Sequence, residues 1–545
     1  MDRQPTQHRA PRNDSTAQES ALGIPEIISR IFDHLSVPIS TLHDLQHLNE
    51  PPMRPTAAVQ YQSQHCPYGH LTHFQLPQNN NDEDLPKARL DDVRLCRSTL
   101  LAAATSCQSF SGPALDALWH QMDTLAPLVS LLPLADLNGV AYLQMQNVTS
   151  TAMETFVNCA RRIRVFVYKS NSLFQGKDST IHASVYATLL ASRSILLPNL
   201  KTLLIPVFDQ EPLTYDGIYL ASPSLTCLEI GQLQVSTYAL ETFMMMIGSR
   251  SEHLRRVSTG QNVVVSPAVW RNILVTNLRS IELFEPVPEV LELVSSLPIL
   301  QALTITNPPK STTTLTFPSL KRLSLNGTLS SVMYFLEPFH APLDFISITL
   351  QAGSTSPPLS ELEFIIKTIS NRWKQSLAHL TLDFGNNDVQ GLDFSHEFQP
   401  FFSLPLRTFR ILRFPKTLDS PDVLVEIASK FRDIESLHIP PHTQGKEPTI
   451  QDLRTVARLC PSLRALSTSV NIEPARNSPS FTHHELDELH VYASPINNPK
   501  KVATQLDRTF PYLTKITTSS PDHFRKWNEV GRLLELCHEG RRGFF

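Results

Sequence analysis

The sequence predicts an α/β fold in which short parallel strands recur along the chain, alternating with helices, behind a helical N-terminal module. Three observations predict it. A Leu-x-x-Leu-x-Leu pattern returns at bounded spacing between residues 200 and 518. Prolines stand just ahead of many of its copies. The N-terminal segment spaces its apolar residues by three and four rather than by two.

The pattern, with Ile, Val or Phe allowed for Leu, begins at 200, 225, 278, 300, 320, 343, 377, 406, 434 and 486, with partial copies at 254, 463 and 513. The starts lie 20 to 34 residues apart, overlapping the leucine-rich-repeat period of roughly 20–29. Pro198, Pro223, Pro298, Pro318, Pro461 and Pro511 sit two residues before the first leucine, and Pro342 and Pro405 one before. Proline disfavours helix at the residue ahead of it, so it ends one element and admits the next. Leu200-Lys201-Thr202-Leu203-Leu204-Ile205 and Leu320-Lys321-Arg322-Leu323-Ser324-Leu325 read as strands with alternate residues turned inward. Pro288–Val294 and Pro421–Phe431 read as helices that cover the sheet. Asn326 is among the few asparagines where a regular repeat would carry one, so the copies are degenerate.

Composition narrows the function classes. The chain has 545 residues, 41% hydrophobic and 18% charged, with a formal net charge of −4. That suffices for a large core and lacks the basic excess of a nucleic-acid binder. No apolar run reaches the ~18 residues of a membrane span. The first 20 residues are polar where a signal peptide needs an apolar stretch. Seven unpaired-looking cysteines suit a reducing compartment. A soluble cytoplasmic or nuclear protein is expected.

Chemistry is sparse. Gly176-Lys177-Asp178-Ser179 has Asp where a phosphate loop needs Ser or Thr, and Asn171 where it needs Gly. His484 and His490 are six apart, not the four of a zinc protease helix. His65, Cys66, His70 and His73 lack a second paired element. No nucleophile elbow or nucleotide turn occurs. No catalytic residue, metal site or cofactor is expected. The repeated leucines are core; binding specificity falls to outward strand positions, with Glu229, Glu282, Thr304, Arg410, His438 and His490 the candidate target-binding surface, together with Ser324, Ser347 and Thr381.

At the N-terminus, Ile24-Pro25-Glu26-Ile27-Ile28-Ser29-Arg30-Ile31-Phe32-Asp33-His34-Leu35 reads as a helix with proline in its first turn. A second helical stretch, Leu100 to Cys107, runs to Phe110, and Ser111-Gly112-Pro113 reads as a break before Ala114-Leu115-Asp116-Ala117-Leu118-Trp119. These three parts, in this order, resemble the F-box, and the Leu-Pro-rich stretch that follows, Leu125–Pro133, is similar to that of fungal F-box proteins. About sixty polar residues separate the first part from the second, far more than in a compact F-box; a long surface loop costs only about 1–2 kcal/mol more than a short one.

The resemblance implies a three-helix module docking to a Skp-family adaptor, and through it to a cullin, by an apolar face drawn from Pro25, Ile27, Ile28, Ile31, Phe32, Leu35 and Leu101, with Pro25, Ile28 and Phe32 foremost. It implies the fold of a fungal-type F-box protein with degenerate leucine-rich repeats. The expected order is a tail (1–20), an F-box interrupted by a disordered insert (21–120, insert about 37–92), linker helices and a first repeat (121–195), the solenoid (196–520) and a capping helix (521–545), on which Trp527, Val530, Leu534 and Cys537 share a stripe. The implied function is substrate recognition for a ubiquitin ligase, not catalysis, with the target protein unspecified. The alternative is a non-ligase scaffold with a vestigial F-box.

Overall fold

The computed structural model describes Phe32 and residues 85–542 apart from 169–179, 193–194, 209–218, 234–236, 262, 275–276, 311–312, 352–358, 386–393, 443–445, 473–482 and 520. Pro25, Ile27, Ile28, Ile31 and Leu35, the loop to residue 84, and the sequence Gly176–Ser179 lie outside the described residues. The chain divides into two units, Met1–Leu254 and Arg255–Phe545.

In the first unit, α1 (Leu85–Ser106) and α2 (Gln108–His120) form a helical hairpin. Helix α1 begins inside the stretch expected as insert, with Pro86 in its first turn, where the missing N–H costs nothing. The break between the helices falls at Cys107, whose backbone is extended, and not at Ser111-Gly112-Pro113. Pro113 is carried inside α2, and the Arg162 guanidinium grips that turn through the Gly112 carbonyl at 3.0 Å and the Asp116 carboxylate. Phe32, Leu100 and Ala114 are buried together against Ala103, Ala104, Phe110, Ala117 and Leu118.

Beyond the hairpin come β1 (Gln121–Met122), β2 (Leu134–Leu137), β3 (Val140–Leu143), β4 (Val165–Val167), β5 (Thr180–Ile181), β6 (Thr202–Phe208) and β7 (Cys227–Leu233). β1, β4, β6 and β7 pair in that order, all parallel. β2 and β3 are antiparallel around an Asn138-Gly139 turn, both residues at positive φ, with the Gly139 N–H donating to Asp136 at 2.8 Å. Segment 121–195, expected as linker helices and a first repeat, holds the helices Ala126–Val129, Ser150–Ala160 and Ala183–Ser192, two strands of the parallel ladder and a hairpin.

The second unit is a longer run of the same kind: β8 (Arg256–Gln261), β9 (Ser280–Phe284), β10 (Ala302–Thr306), β11 (Leu315–Thr316), β12 (Arg322–Gly327), β13 (Phe339–His340), β14 (Phe345–Leu350), β15 (His379–Asp383), β16 (Thr408–Leu412), β17 (Ser436–His438), β18 (Ala465–Ser467), β19 (Glu488–His490) and β20 (Lys515–Thr517). All but β11 and β13, which pair with each other, follow one another in a parallel sheet.

Every copy of the leucine pattern, full or partial, becomes a strand that starts two residues after the first leucine. The first leucines are fully enclosed: Leu278, Leu320, Leu343, Leu377, Ile434, Leu486 and Leu513 are all 0% exposed. In the copies before the last, the fourth and sixth positions are buried likewise, as in Leu323 and Leu325 or Phe409 and Ile411. Helices between the strands supply the other wall. Leu359–Arg372 buries Leu362, Ile365, Ile366 and Ile369, a stripe at helical spacing, and Pro288–Ser295 buries Val290, Leu291 and Val294. Thr328, Thr449 and Asn498 cap their helices through side-chain oxygens, Thr449 in a capping box with Asp452. Where Gln399–Ser403 is only a 3-10 turn, Phe384, Phe394, Phe398, Phe401, Phe409 and Phe431 fill the layer instead.

One backbone device repeats. The carbonyl just after each first leucine accepts two N–H groups from the next repeat. Arg279 O takes those of Gln301 and Ala302, Gln301 O those of Lys321 and Arg322, and Lys321 O those of Asp344 and Phe345. The series continues through Asp344, Ala378, Arg407, Glu435, Arg464 and Asp487.

The helix Phe524–Arg542 packs on the last repeats, burying Trp527, Val530 and Leu534. The Trp527 indole N–H donates to Ser494 O at 2.9 Å, and Arg541 bonds Asp507 and the Pro511 carbonyl. Cys537, expected in the buried stripe, is exposed.

Replacing Leu380, fully buried in β15, by Ala should cost about 2–5 kcal/mol, read as a lower urea midpoint at unchanged slope.

Candidate functional site

Strand alternation sends the second and fourth residues of each strand into the core and leaves the first, third and fifth on the other face. Parallel pairing in constant register then lines up the third residues. Glu282, Thr304, Ser324, Ser347, Thr381, Arg410, His438, Ser467, His490 and Thr517 are consecutive partners across the second unit. The expected surface residues Glu282, Thr304, Arg410, His438 and His490 thus fall in one row, and Glu229 lies apart from it in the first unit, opposite Leu204.

The row changes character along its length. From Thr304 to Thr381 it carries small hydroxyl side chains; from Arg410 onward it becomes basic and aromatic. The His438 and His490 rings lie nearly parallel, 6.2 Å apart, with the Tyr492 ring edge-on to both at 5.7 and 5.1 Å. The Tyr492 hydroxyl donates its proton to Ile439 O at 2.8 Å and therefore accepts from His438 Nε2 at 2.7 Å. His490 Nδ1 meets the Thr517 hydroxyl at 2.9 Å, and Arg410 donates to the Ser436 hydroxyl at 3.3 Å.

Burial sets the protonation of this cluster. It lowers the His438 pKa to about 3, with His490 and Arg410 adding repulsion, and lowers that of His490. It pushes Tyr492 up to about 12. Near neutral pH both imidazoles are uncharged and the Arg410 guanidinium is the cation of the cluster.

Elsewhere on this face charges are matched. Arg256 lies 3.9 Å from Glu282, Lys515 3.0 Å from Glu488, and Arg322 over the Phe345 ring at 5.7 Å. Arg413, held at positive φ immediately after β16, turns back to bind the Asp383 carboxylate through Nε and Nη2 at 2.7 and 2.6 Å. Glu285 and Asn307 occupy the same left-handed position after β9 and β10 and bond to each other at 2.8 Å. The Asn326 side-chain oxygen is buried without a hydrogen-bond partner among the described residues, so no asparagine ladder stitches the repeats.

On the N-terminal module, Phe32 is 6% exposed and stacks edge-on with Phe110 at 5.8 Å. It belongs to the module's core, because it fills the gap between the two helices, and not to the docking face expected of it. Leu101 is 54% and Leu95 64% exposed.

His484 and Cys460 are structural. His484 is buried with Nε2 donating to Cys460 O at 2.9 Å and Nδ1 accepting from Leu486 N at 3.1 Å. Burial takes the Cys460 thiol to about 12. Among the described residues no three His, Cys, Asp or Glu side chains gather as a metal site, and no helix is long and apolar enough to cross a membrane.

Sequence reasoning missed Tyr492, which sits two residues past the strand position it serves. It also missed β4, although Ile163, Phe166 and Tyr168 repeat the leucine spacing and are buried like leucines; admitting Tyr to the pattern would have found it.

No protein-family profile matches the sequence, and no curated protein sequence matches it. Among solved structures, one similarity is to the mouse RP105/MD-1 complex, at 14% identity and a TM-score of 0.28, covering 66% of this chain and 63% of that one. The chain thus spans under two thirds of that protein's length. Another is to the Rad7 and Elc1 complex of yeast, at 12% identity and a TM-score of 0.27, covering 80% and 96%. Similarity at this level carries no functional argument, and the reading below rests on the residues.

His438 and His442, with pKa values lowered to about 3 and about 4 from 6.5, are held neutral by the fold. The unfolded chain therefore binds more protons between pH 6.5 and those values. Stability should be full above pH 6.5 and fall as pH drops below it, by up to about 1.4 kcal/mol per pH unit for each imidazole. The variant H438Q should show a shallower dependence in urea titrations between pH 6.5 and 4.5.

Proposed function

We propose that the chain is a substrate-recognition adaptor of a cullin-type ubiquitin ligase, its N-terminal module docking to a Skp-family adaptor and its repeats presenting a target protein. The observation that carries the reading is the helical hairpin. The sequence that resembles an F-box packs a compact core around Phe32, Leu100 and Ala114, and that core leaves Leu95 and Leu101 uncovered on α1. Exposed leucines on a small helical module suit a partner's apolar face. The repeats complement it with a row of polar side chains that a rigid backbone ladder holds in fixed register, a surface suited to a protein ligand. Ubiquitin transfer would then be accelerated by proximity, with the chemistry supplied by another subunit.

Affinity purification of the full chain followed by mass spectrometry tests this. Co-purifying Skp-family adaptor and cullin are expected, with recovery lowered at least tenfold by L101D, equivalent to about 1.4 kcal/mol of binding. The same variant should keep its unfolding midpoint, since Leu101 is exposed. Undiminished recovery would remove α1 from the interface. Other stable partners without adaptor or cullin would favour a non-ligase scaffold.

A further inference from the structure

On the exposed face of the second unit the strand carboxylates are paired. Glu282, Glu488 and Asp383 are each held by a neighbouring cation, Arg256, Lys515 and Arg413 respectively. Arg410 sits in the third-position row, half-buried, and has no ion pair among the described residues. Its side-chain hydrogen bond among the described residues is the long one to the Ser436 hydroxyl, and Glu488, the carboxylate that acts on it through space, is bonded to Lys515. A guanidinium partly withdrawn from water with most of its five donors unused attracts an anion more strongly than an exposed one. The chain keeps this cation although its net charge is −4.

We propose that Arg410, with His438 next to it in the row, is the anchor for a carboxylate side chain, Asp or Glu, of an extended segment of the target protein. The adjoining positions Thr381, Ser347, Ser324 and Thr304 give that segment a strip of small hydroxyl groups to cross. The valence of the site selects carboxylate over phosphate. A single guanidinium forks onto one carboxylate with both oxygens satisfied. A phosphate close to its dianionic form calls for a second cation, and the two histidines, kept neutral by burial, do not supply one. His438, with its proton on Nε2 toward Tyr492, presents Nδ1 only as an acceptor, and His490, further along the row with Nδ1 engaged by the Thr517 hydroxyl, keeps Nε2 as a neutral donor edge.

This assignment deepens the target-binding part of the proposed function and rests on it. Immobilised full-length protein is offered pools of degenerate 12-residue peptides whose central position is fixed as Glu, Lys, Gln or phosphoserine, and retained peptides are quantified by mass spectrometry. Enrichment of the Glu pool over the Gln pool is expected, falling at least tenfold in R410M and only partly in R410K, and weakening with added salt. Equal retention of Glu and Gln pools, undiminished retention by R410M, or preference for the phosphoserine pool would overturn it. Recovery of the Skp-family adaptor by R410M is measured in parallel. Normal recovery with lost peptide binding supports the anchor, whereas normal peptide binding without any adaptor leaves the anchor standing and removes the ligase reading.

Discussion

The carbonyl after each first leucine, shared by two N–H groups of the following repeat, is the interaction on which the second unit depends. A net hydrogen bond contributes only about 0.5–1.5 kcal/mol, yet these bonds fix register, and register decides everything else. With Arg279 O bound to Gln301 and Ala302, Glu282 must stand opposite Thr304, and Leu278 and Leu300 must stack beneath. A slip of one residue would turn the leucines outward and the polar row into the core. Leucine burial and carbonyl sharing are therefore two expressions of one constraint.

Because the constraint is periodic, much of the fold was legible in the sequence. All the leucine copies read from spacing are strands, including the partial ones at 254, 463 and 513. What was less legible follows from physics that spacing does not encode. Pro113 marks no helix end, because Arg162, distant in sequence, binds the turn that the proline weakens. Phe32 is core because α2 presents Phe110 to it. β1 was hidden because its repeat uses Trp119 and Met122 where the pattern asks for leucine.

The site was legible in position but not in chemistry. Alternation alone put Arg410, His438 and His490 outward. It did not show that Tyr492 would reach back across two repeats to bind His438, or that Arg413 would adopt a left-handed backbone and take up Asp383. Left-handed conformation at a bulky residue costs on the order of 1 kcal/mol, and here it produces a bidentate ion pair. The result is a face whose strand carboxylates are paired and whose central arginine is not.

The register account is tested most directly by amide hydrogen exchange of the full chain. Peptides spanning 300–306, 320–327, 343–350 and 378–383 should all be strongly protected and should lose protection together as urea is added, since each carbonyl ties one repeat to the next. Strand peptides that exchange at the rate of an unprotected chain, or that lose protection one repeat at a time at widely different urea concentrations, would contradict it.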